Sequence, residues 1–473
     1  MDLVSARSDV LSEVRSLIDS GRGTGLVSVT VPIDGADPSA LVLGSRRATD
    51  RWSVWEQPDR SGFALATLGQ VREITSRGER RFEHLEEDSI RLVSQIDRRG
   101  PESLPQGAGP VFAGGFAFDP EGCASREWSS LPPALLVLPE ISLCRSDGEV
   151  WLTATADLGS SDSSDLRGER ALERLESRLA SLEEAAMPSG LGGVADSADV
   201  EVFQGSEAWG PAAYEEAVSQ ATARIRRGEI DKVVLARSLR LERDGAWEAP
   251  LVVGALREAF SSCFCFAIGT PELTFCGASP ELLIRRSGPL AATVALAGSA
   301  RRSADPAVDA HLGEALLQSS KDRSEHGIVV ERIVRSLRRL SLWVEADPEP
   351  SLARISNIQH LATPIRAQLS NAVSAIELAG RLHPTPAVGG EPAAEALEVI
   401  REIERIDRGW YAGPVGWVDC TGDGEFCVAL RSALIRDTSA TLYAGAGIVA
   451  DSDPSTELAE TELKLGAMLP LLS

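Results

Sequence analysis

No apolar run in this chain reaches the roughly 18 residues that a membrane-spanning helix needs. Short runs of strand character recur instead, separated by helical patterns, along the whole sequence. That interleaving confines the chain to a mixed α/β fold built from many short strands. The clearest strand is DKVVLARSLRL (231–241), where period two places Lys232 on one face with Val234, Ala236 and Ser238. VSVTVPI (27–33), ALVLG (40–44) and LPPALLVLPEISLC (131–144) read as further strands, and FCFAIG with TFCGASPELLIRR as a hairpin. GPVFAGGFAFD (109–119) alternates small and aromatic residues, as suits a strand pressed against another backbone.

Helical spacing is equally plain elsewhere. Tyr214, Val218, Ala221 and Ile225 recur along one face, and Gly228 closes that helix. Residues 251–259 are helical, one long helix is expected over 306–340, and RFEHLEEDSIRLVSQIDRRG reads as a helix ending at Gly100. A charged helix is expected at 169–186. Asp453 and Pro454 open the last helix, a capping residue followed by proline in the first turn. Residues 158–170 are loop-like, and 188–210 form a linker-like stretch between a half ending near 187 and one beginning near 213.

The net charge is −23, from 70 acidic and 47 basic side chains. Such a balance excludes a sequence-independent nucleic-acid binder, which needs a basic stripe for phosphates. An anionic substrate would need a locally basic pocket inside an acidic shell. At 473 residues the chain buries a core without disulfides or metal staples. Seven cysteines, an odd number without paired CxxC spacing, read as reduced and mostly internal; CFC (263–265) reads as two core thiols beside a phenylalanine. The opening residues alternate charge with aliphatics and lack a signal-peptide core, so a cytoplasmic location is expected.

Only three of the 47 basic residues are lysine: Lys232, Lys321 and Lys464. A GC-rich coding bias accounts for the arginine excess. Arginine holds its proton near neutral pH and carries a bulkier head, so a lysine surviving in this background marks a place where an ammonium is needed. All three lie in dense polar motifs. Glu457, Glu460, Thr461 and Lys464 fall at i, i+3, i+4 and i+7, one stripe of a helix, with Leu458, Leu463 and Leu465 elsewhere. The stripe is either a solvated face with an ion pair or a pair of carboxylates for a hard divalent cation, with an ammonium for an anion; magnesium suits such a site. KDRSEH (321–326) sets Lys321 and Glu325 one turn apart, as a surface ion pair or a further carboxylate of the same kind. The glycines of LYAGAGIV (442–449) either bring backbone N–H groups close to an anion or make a strand-end turn. His326, His360 and His383 match no compact zinc spacing.

Nine blocks occur in order: DKVVLARS, GASPELLIRR, ALAGSARR, KDRSEHGIVV, IQHLATPI, LHPTPAVGG, DRGWYAGPVGW, GDGEFCVALRSA and AGAGIVADSDPSTELAETELKL. Together they resemble the chorismate-utilising enzymes, and within them the isochorismate synthases, over residues 213–473. FAGGFAFD is the looser link in the first half. The resemblance implies one α/β domain of the α+β type over 1–473, with two large antiparallel sheets packed centrally, helices outside, and 1–187 as a variable half. It implies Mg2+ dependence and the reversible conversion of chorismate to isochorismate, by water addition at C2 with loss of the C4 hydroxyl. By position, Lys232 is then the general base and Glu281 the general acid. Glu325 and Glu460 are magnesium ligands with Glu457 beside them. Arg431, Lys464 and the backbone of Gly445, Ala446 and Gly447 grip substrate carboxylate, while Gly298, Ser299, His360 and Ala387 line the pocket.

Two of these roles carry physical demands. Lys232 must lose its proton to act as a base, which partial desolvation and neighbouring cations favour. Glu281 must keep its proton, which exclusion of water favours. Relatives that use ammonia need a glutaminase partner and usually lack the lysine matched by Lys232. In them, and in salicylate synthases, threonine is typical at the position of Ala387. Water is therefore the expected nucleophile, with no glutaminase subunit, nucleic acid or membrane as partner. The VGGEP run resembles the menaquinone group. A siderophore-pathway enzyme, a salicylate synthase releasing pyruvate and a non-catalytic chorismate-binding subunit are the alternatives.

Overall fold

A computed structural model describes residues 1–20, 25–159, 165–186, 200–203, 209–355 and 358–472. Strand pairing resolves into two large sheets. The first runs Val200–Phe203, Lys232–Arg243, Ser439–Ile448, Ser432–Arg436, Thr274–Ser279, Phe264–Gly269, Trp52–Gln57, Phe63–Leu68, Ile141–Ser146, Glu149–Asp157, Leu26–Ile33, Ile96–Arg99, with Gly390–Glu391 paired beside Lys232. The second runs Ser341–Ala346, Ile358–Leu369, Leu290–Arg301, Leu282–Ser287, Gly424–Val428, Pro414–Asp419, Val111–Phe116, Ala134–Leu138, Arg72–Ser76, with Ser351–Ile355 against the Ile358–Leu369 strand. Pairing is antiparallel except where Leu26–Ile33 meets Ile96–Arg99. Both sheets draw strands from both halves of the chain.

Period two explains how the first sheet serves two cores. Along Phe63–Leu68, Phe63 and Leu65 join the core shared with the second sheet, while Ala66 and Leu68 join the core on the opposite face. Between the sheets, Phe63 stacks on Trp417 with ring centroids 5.8 Å apart. The helices Leu3–Asp19, Pro38–Ser45 and Asp165–Ala186 cover the outer core. The close backbone packing expected of FAGGF is present: a Cβ at Gly114 would lie 2.0 Å from the Leu135 carbonyl oxygen.

Several expectations are corrected. ALVLG is not a strand but part of the helix Pro38–Ser45. Asp37 accepts from the Ala40 N–H, Pro38 starts the turn, and Leu41, Val42 and Leu43 are all buried, so no apolar periodicity survives to identify it. LPPALLVLPEISLC is two strands in different sheets, parted at Pro139 and Glu140. The helix expected to end at Gly100 stops at Val93 and gives way to the strand Ile96–Arg99. The long helix over 306–340 is two helices, Pro306–Gln318 and Ser320–Arg338. Ser319 is extended (φ −68°, ψ 113°) and caps the second helix by accepting from the Asp322 N–H. Within 188–210 the strand Val200–Phe203 pairs with Lys232–Arg243; 187–199 and 204–208 lie outside the described residues, as do 160–164 of the expected loop.

Two sheet-to-sheet crossovers decide where chemistry can sit. The chain leaves the first sheet after Ser279 and enters the second at Leu282, so Glu281 lies in the crossing. It returns from Val428 to Ser432, so Arg431 lies in the other. The crossings are stitched together: Val428 N–H donates to the Glu281 carbonyl at 3.0 Å, and Ala278 N–H to that of Arg431 at 3.2 Å.

Candidate active site

The strand Lys232–Arg243, both crossovers, the helices Ser320–Arg338 and Pro454–Leu465, and the loop after His383 surround one cleft. All three lysines of the chain line it. Of the residues singled out in sequence, Lys232, Glu281, Gly298, Ser299 and Glu325 line it, as do His360, Ala387, Arg431 and Gly445. Gly447, Glu457, Glu460 and Lys464 complete the set. Ala446 does not line it. Residues 445–447 are mid-strand rather than a turn, Ala446 pairs with Leu235, and alternation carries its side chain off the cleft.

Lys232 is only 1% exposed, and its Nζ lies 2.5 Å from Glu325 Oε1. The expected neighbouring cations are thus replaced by a carboxylate, and Glu325 pairs with Lys232 rather than with Lys321 one turn away. Gly447, which pairs with Val234, packs against this pair: a Cβ there would stand 3.1 Å from both Glu325 Oε1 and Lys232 Cε, so a larger residue would crowd it.

Glu281 is 5% exposed and accepts from Thr385 Oγ1 at 3.4 Å. Burial pushes its carboxyl up to about 7, against the opposing pull of Thr385, Lys232 and Lys464. Its proton is thus retained to near neutrality, as a general acid requires.

Arg431 is 7% exposed and has no carboxylate partner among the described residues. Its guanidinium meets His360 Nε2 at 3.4 Å and Cys263 Sγ at 4.0 Å, and its backbone takes φ +46°. A buried cation without a counter-ion, on a strained backbone, is a site prepared for an anion. Burial, with the Arg431 and Lys464 charges, lowers His360 to about 3, so the imidazole is neutral. Its Nδ1 lies 3.2 Å from the Gly298 carbonyl, which assigns the proton there and leaves Nε2 to accept from Arg431.

On the last helix the polar stripe faces inward. Glu457 is 5% exposed, and burial together with the Glu460 charge raises its carboxyl above the usual range. Burial acts the same way on Glu460, but the charge and hydrogen bond of Lys464 and the hydroxyl of Ser299 outweigh it and hold that carboxyl low. Lys464 Nζ is 2.8 Å from Glu460 Oε1 and donates to the Gly445 carbonyl at 2.8 Å. The solvated-face alternative for this stripe is thereby excluded.

The acidic groups are all oxygen donors, which suits a hard cation such as magnesium. Among the described residues, no three of them are already gathered as a metal cluster. In both Glu325 and Glu460 the engaged atom is Oε1, and Oε2 has no partner among the described residues. Two carboxylate oxygens open to a cleft are what a water-rich magnesium site uses.

Other functional positions were not selected from sequence. Asp322 lines the cleft from the helix that carries Glu325, beside Lys321, which the lysine count had already marked. Arg408, 4% exposed, donates to Glu404, to the Val388 carbonyl at 3.0 Å and to the Val234 carbonyl at 2.8 Å. It ties the Lys232 strand to the Ala387 loop, and only its place inside DRGWYAGPVGW signalled it. Thr385 sits in HPTPAVGG, but its bond to Glu281 spans 104 residues.

Comparison with known proteins fits this geometry. The profile described as "chorismate binding enzyme" matches residues 12–473. The chain belongs to the chorismate-binding enzymes. It is 39% identical to the salicylate biosynthesis isochorismate synthase of Pseudomonas aeruginosa, over 95% of this chain and 90% of that protein. It is 34% identical to isochorismate synthase MenF of Bacillus subtilis, over 94% of this chain and 93% of that protein. In three dimensions it superposes on MenF, the menaquinone-specific isochorismate synthase of Escherichia coli, with a TM-score of 0.77 and 27% identity over 98% of this chain and 100% of that one. Anthranilate synthase component I of Streptococcus pneumoniae, at 22% identity and a TM-score of 0.66, shares the fold.

Proposed function

We propose that this chorismate-binding enzyme is an isochorismate synthase, converting chorismate reversibly to isochorismate. The observation that carries the reading is that Lys232 and Glu281 line one cleft together with Arg431 and Lys464, and that burial pushes the Glu281 carboxyl up to about 7. Chorismate is a dianion, and Arg431 with Lys464 supplies charge and orientation for its carboxylates. Lys232 must first release to solvent the proton that its pairing with Glu325 favours; the free amine then takes the proton of the water that adds at C2, and the Glu325 carboxylate stabilises the ammonium so re-formed. Glu281 gives its proton to the departing C4 hydroxyl. Arginine at 232 would stay protonated and end this exchange.

Glu325 and Glu460, with Glu457, would hold Mg2+, which would neutralise a substrate carboxylate and fix the ring. Each general acid–base step contributes about 10²–10⁴-fold. With water as nucleophile, no ammonia-supplying subunit is required. Among the described residues no helix is long and apolar enough to cross a membrane, which accords with a cytoplasmic location. Strands shared between both halves support reading the chain as one catalytic domain. Menaquinone supply is the finer expectation, and loss of menaquinone on gene deletion tests it.

The deciding assay incubates purified protein with chorismate and Mg2+ and separates the products while measuring pyruvate. Isochorismate without pyruvate, abolished by EDTA and restored by Mg2+, is expected. Salicylate with pyruvate would move the reading to a lyase, and no product would revive a pure binding role.

A further inference from the structure

A second cavity lies between the end of the helix Ser320–Arg338 and the end of the helix Ala375–Leu382. Its wall carries Arg332, Arg335, Arg339 and Arg381, with His383 among the lining residues. Among the described residues no carboxylate lines it, in a chain of net charge −23. Arg335 is paired with Glu391 at 3.0 Å and Arg381 with Glu377 at 3.2 Å. Arg332 and Arg339 have no ion-pair or hydrogen-bond partner among the described residues. Compensation of the helix C-terminal dipole explains a cation or two here, but not four converging on one hollow. A second observation is independent of charge. His383 donates from Nε2 to the Phe118 carbonyl at 2.9 Å, while its Nδ1 is buried without a partner. His383 itself lines the cavity, so an anion bound there lies against the segment that leads to Thr385.

The walls of this cavity run directly into the active site. The helix bearing Arg332 and Arg335 carries Lys321, Asp322 and Glu325 toward its other end. His383 is two residues from Thr385, which bonds the Glu281 carboxyl. Glu391, the partner of Arg335, pairs in register with Lys232, and its carbonyl accepts from Asp231 N–H at 2.8 Å. An anion that competes for Arg335 therefore acts on the strand segment that sets the base, and one that engages His383 acts on the loop that holds the acid.

We propose that this arginine-lined cavity is a regulatory site for a small phosphate-bearing anion, whose binding alters the affinity of the catalytic cleft for chorismate. The guanidinium forks match phosphate geometry, and coupling between two such sites is typically about 5–150-fold.

The test uses the full chain and two probes. Pyrophosphate is titrated calorimetrically into metal-free wild type, into the Arg332→Ala/Arg339→Ala double variant and into Arg431→Ala. Binding is expected in wild type and Arg431→Ala, and at least tenfold weaker in the double variant. Initial rates are then measured with excess Mg2+, with inorganic phosphate against sodium chloride at equal ionic strength. Phosphate should move the chorismate KM of wild type at least threefold and leave that of the double variant unchanged. Arg339 is exposed and Arg332 half-buried; should the double variant misfold, Arg339→Gln alone replaces it. Pyrophosphate binding that vanishes in Arg431→Ala but survives in the double variant would place the anion in the catalytic cleft and overturn the proposal. Binding without any effect of phosphate on KM would overturn its regulatory part. Co-sedimentation with phosphatidylglycerol vesicles that the double variant loses would replace the small anion by a lipid headgroup.

Discussion

The two halves of this chain do different physical work on shared sheets. Every residue lining the catalytic cleft lies between 232 and 464, among the described residues. The first half supplies strands to both sheets, the stack of Phe63 on Trp417, and helices that cover the outer core, yet it lends no side chain to the cleft. Two buried arginines make the contrast concrete. In the first half, Arg178 is bonded to both Asp50 and Glu140 at 2.6–2.7 Å and its charge is spent on structure. In the second half, Arg431 is equally buried and is left without a carboxylate. Arg178 spends its charge on two carboxylates, whereas Arg431 keeps its own open to the cleft.

The largest effect that tests this division falls on the acid–base pair. Lys232→Ala and Glu281→Gln should each lower kcat by about 10²–10⁴-fold while circular dichroism stays unchanged. An equal loss of activity from Phe63→Ala, in protein that remains folded, would break the comparison. The expected cost of Phe63→Ala is instead about 3–5 kcal/mol of stability, read by denaturant melts, with KM for chorismate unaltered.

The third effect is one of pH. Glu281 in the folded state titrates at about 7 against an ordinary value near 4.5. Between these values the native state holds a proton that the unfolded state has released, so stability falls as pH rises, by about 3 kcal/mol in all. Glu281→Gln removes that loss. Its melting temperature should exceed that of wild type at pH 8, with the gain gone by pH 4. The rate should follow the same group, with kcat/KM falling as pH rises through about 7. A flat profile there would remove Glu281 as the acid.

The smallest effect sharpens the comparison most directly, because the same change is made in both halves. Asp2 caps the first helix through Ser5 N–H, and Asp453 caps the last through Thr456 N–H. Replacing either by alanine should cost about 0.5–2 kcal/mol. Only Asp453→Ala should also raise KM, since its helix presents Glu457, Glu460 and Lys464 to the cleft.

Much of the site was legible because its residues are chemically unusual for this chain. Lysine survives at three places among 47 basic residues, and all three converge on one cleft. The stripe on the last helix was visible from spacing, but its direction was not. Spacing reports which residues share a face, not what the face meets. Ser319 shows a similar limit, since one extended residue splits a helix whose pattern runs on through it. ALVLG failed because full burial erases the periodicity that separates a short helix from a strand.

Local signals therefore determined, from the sequence alone, the strand at Lys232, the capped last helix, the lysine positions and the ordered blocks of the family. These depend on neighbours a few residues apart. Tertiary structure alone decided that Lys232 meets Glu325 across 93 residues, that Thr385 meets Glu281, and that Glu281 and Arg431 occupy adjoining crossovers. It also placed four arginines around one hollow. Such partners are chosen by which strands lie side by side and which groups are shut away from water. Burial and long-range pairing belong to the whole fold and have no local code.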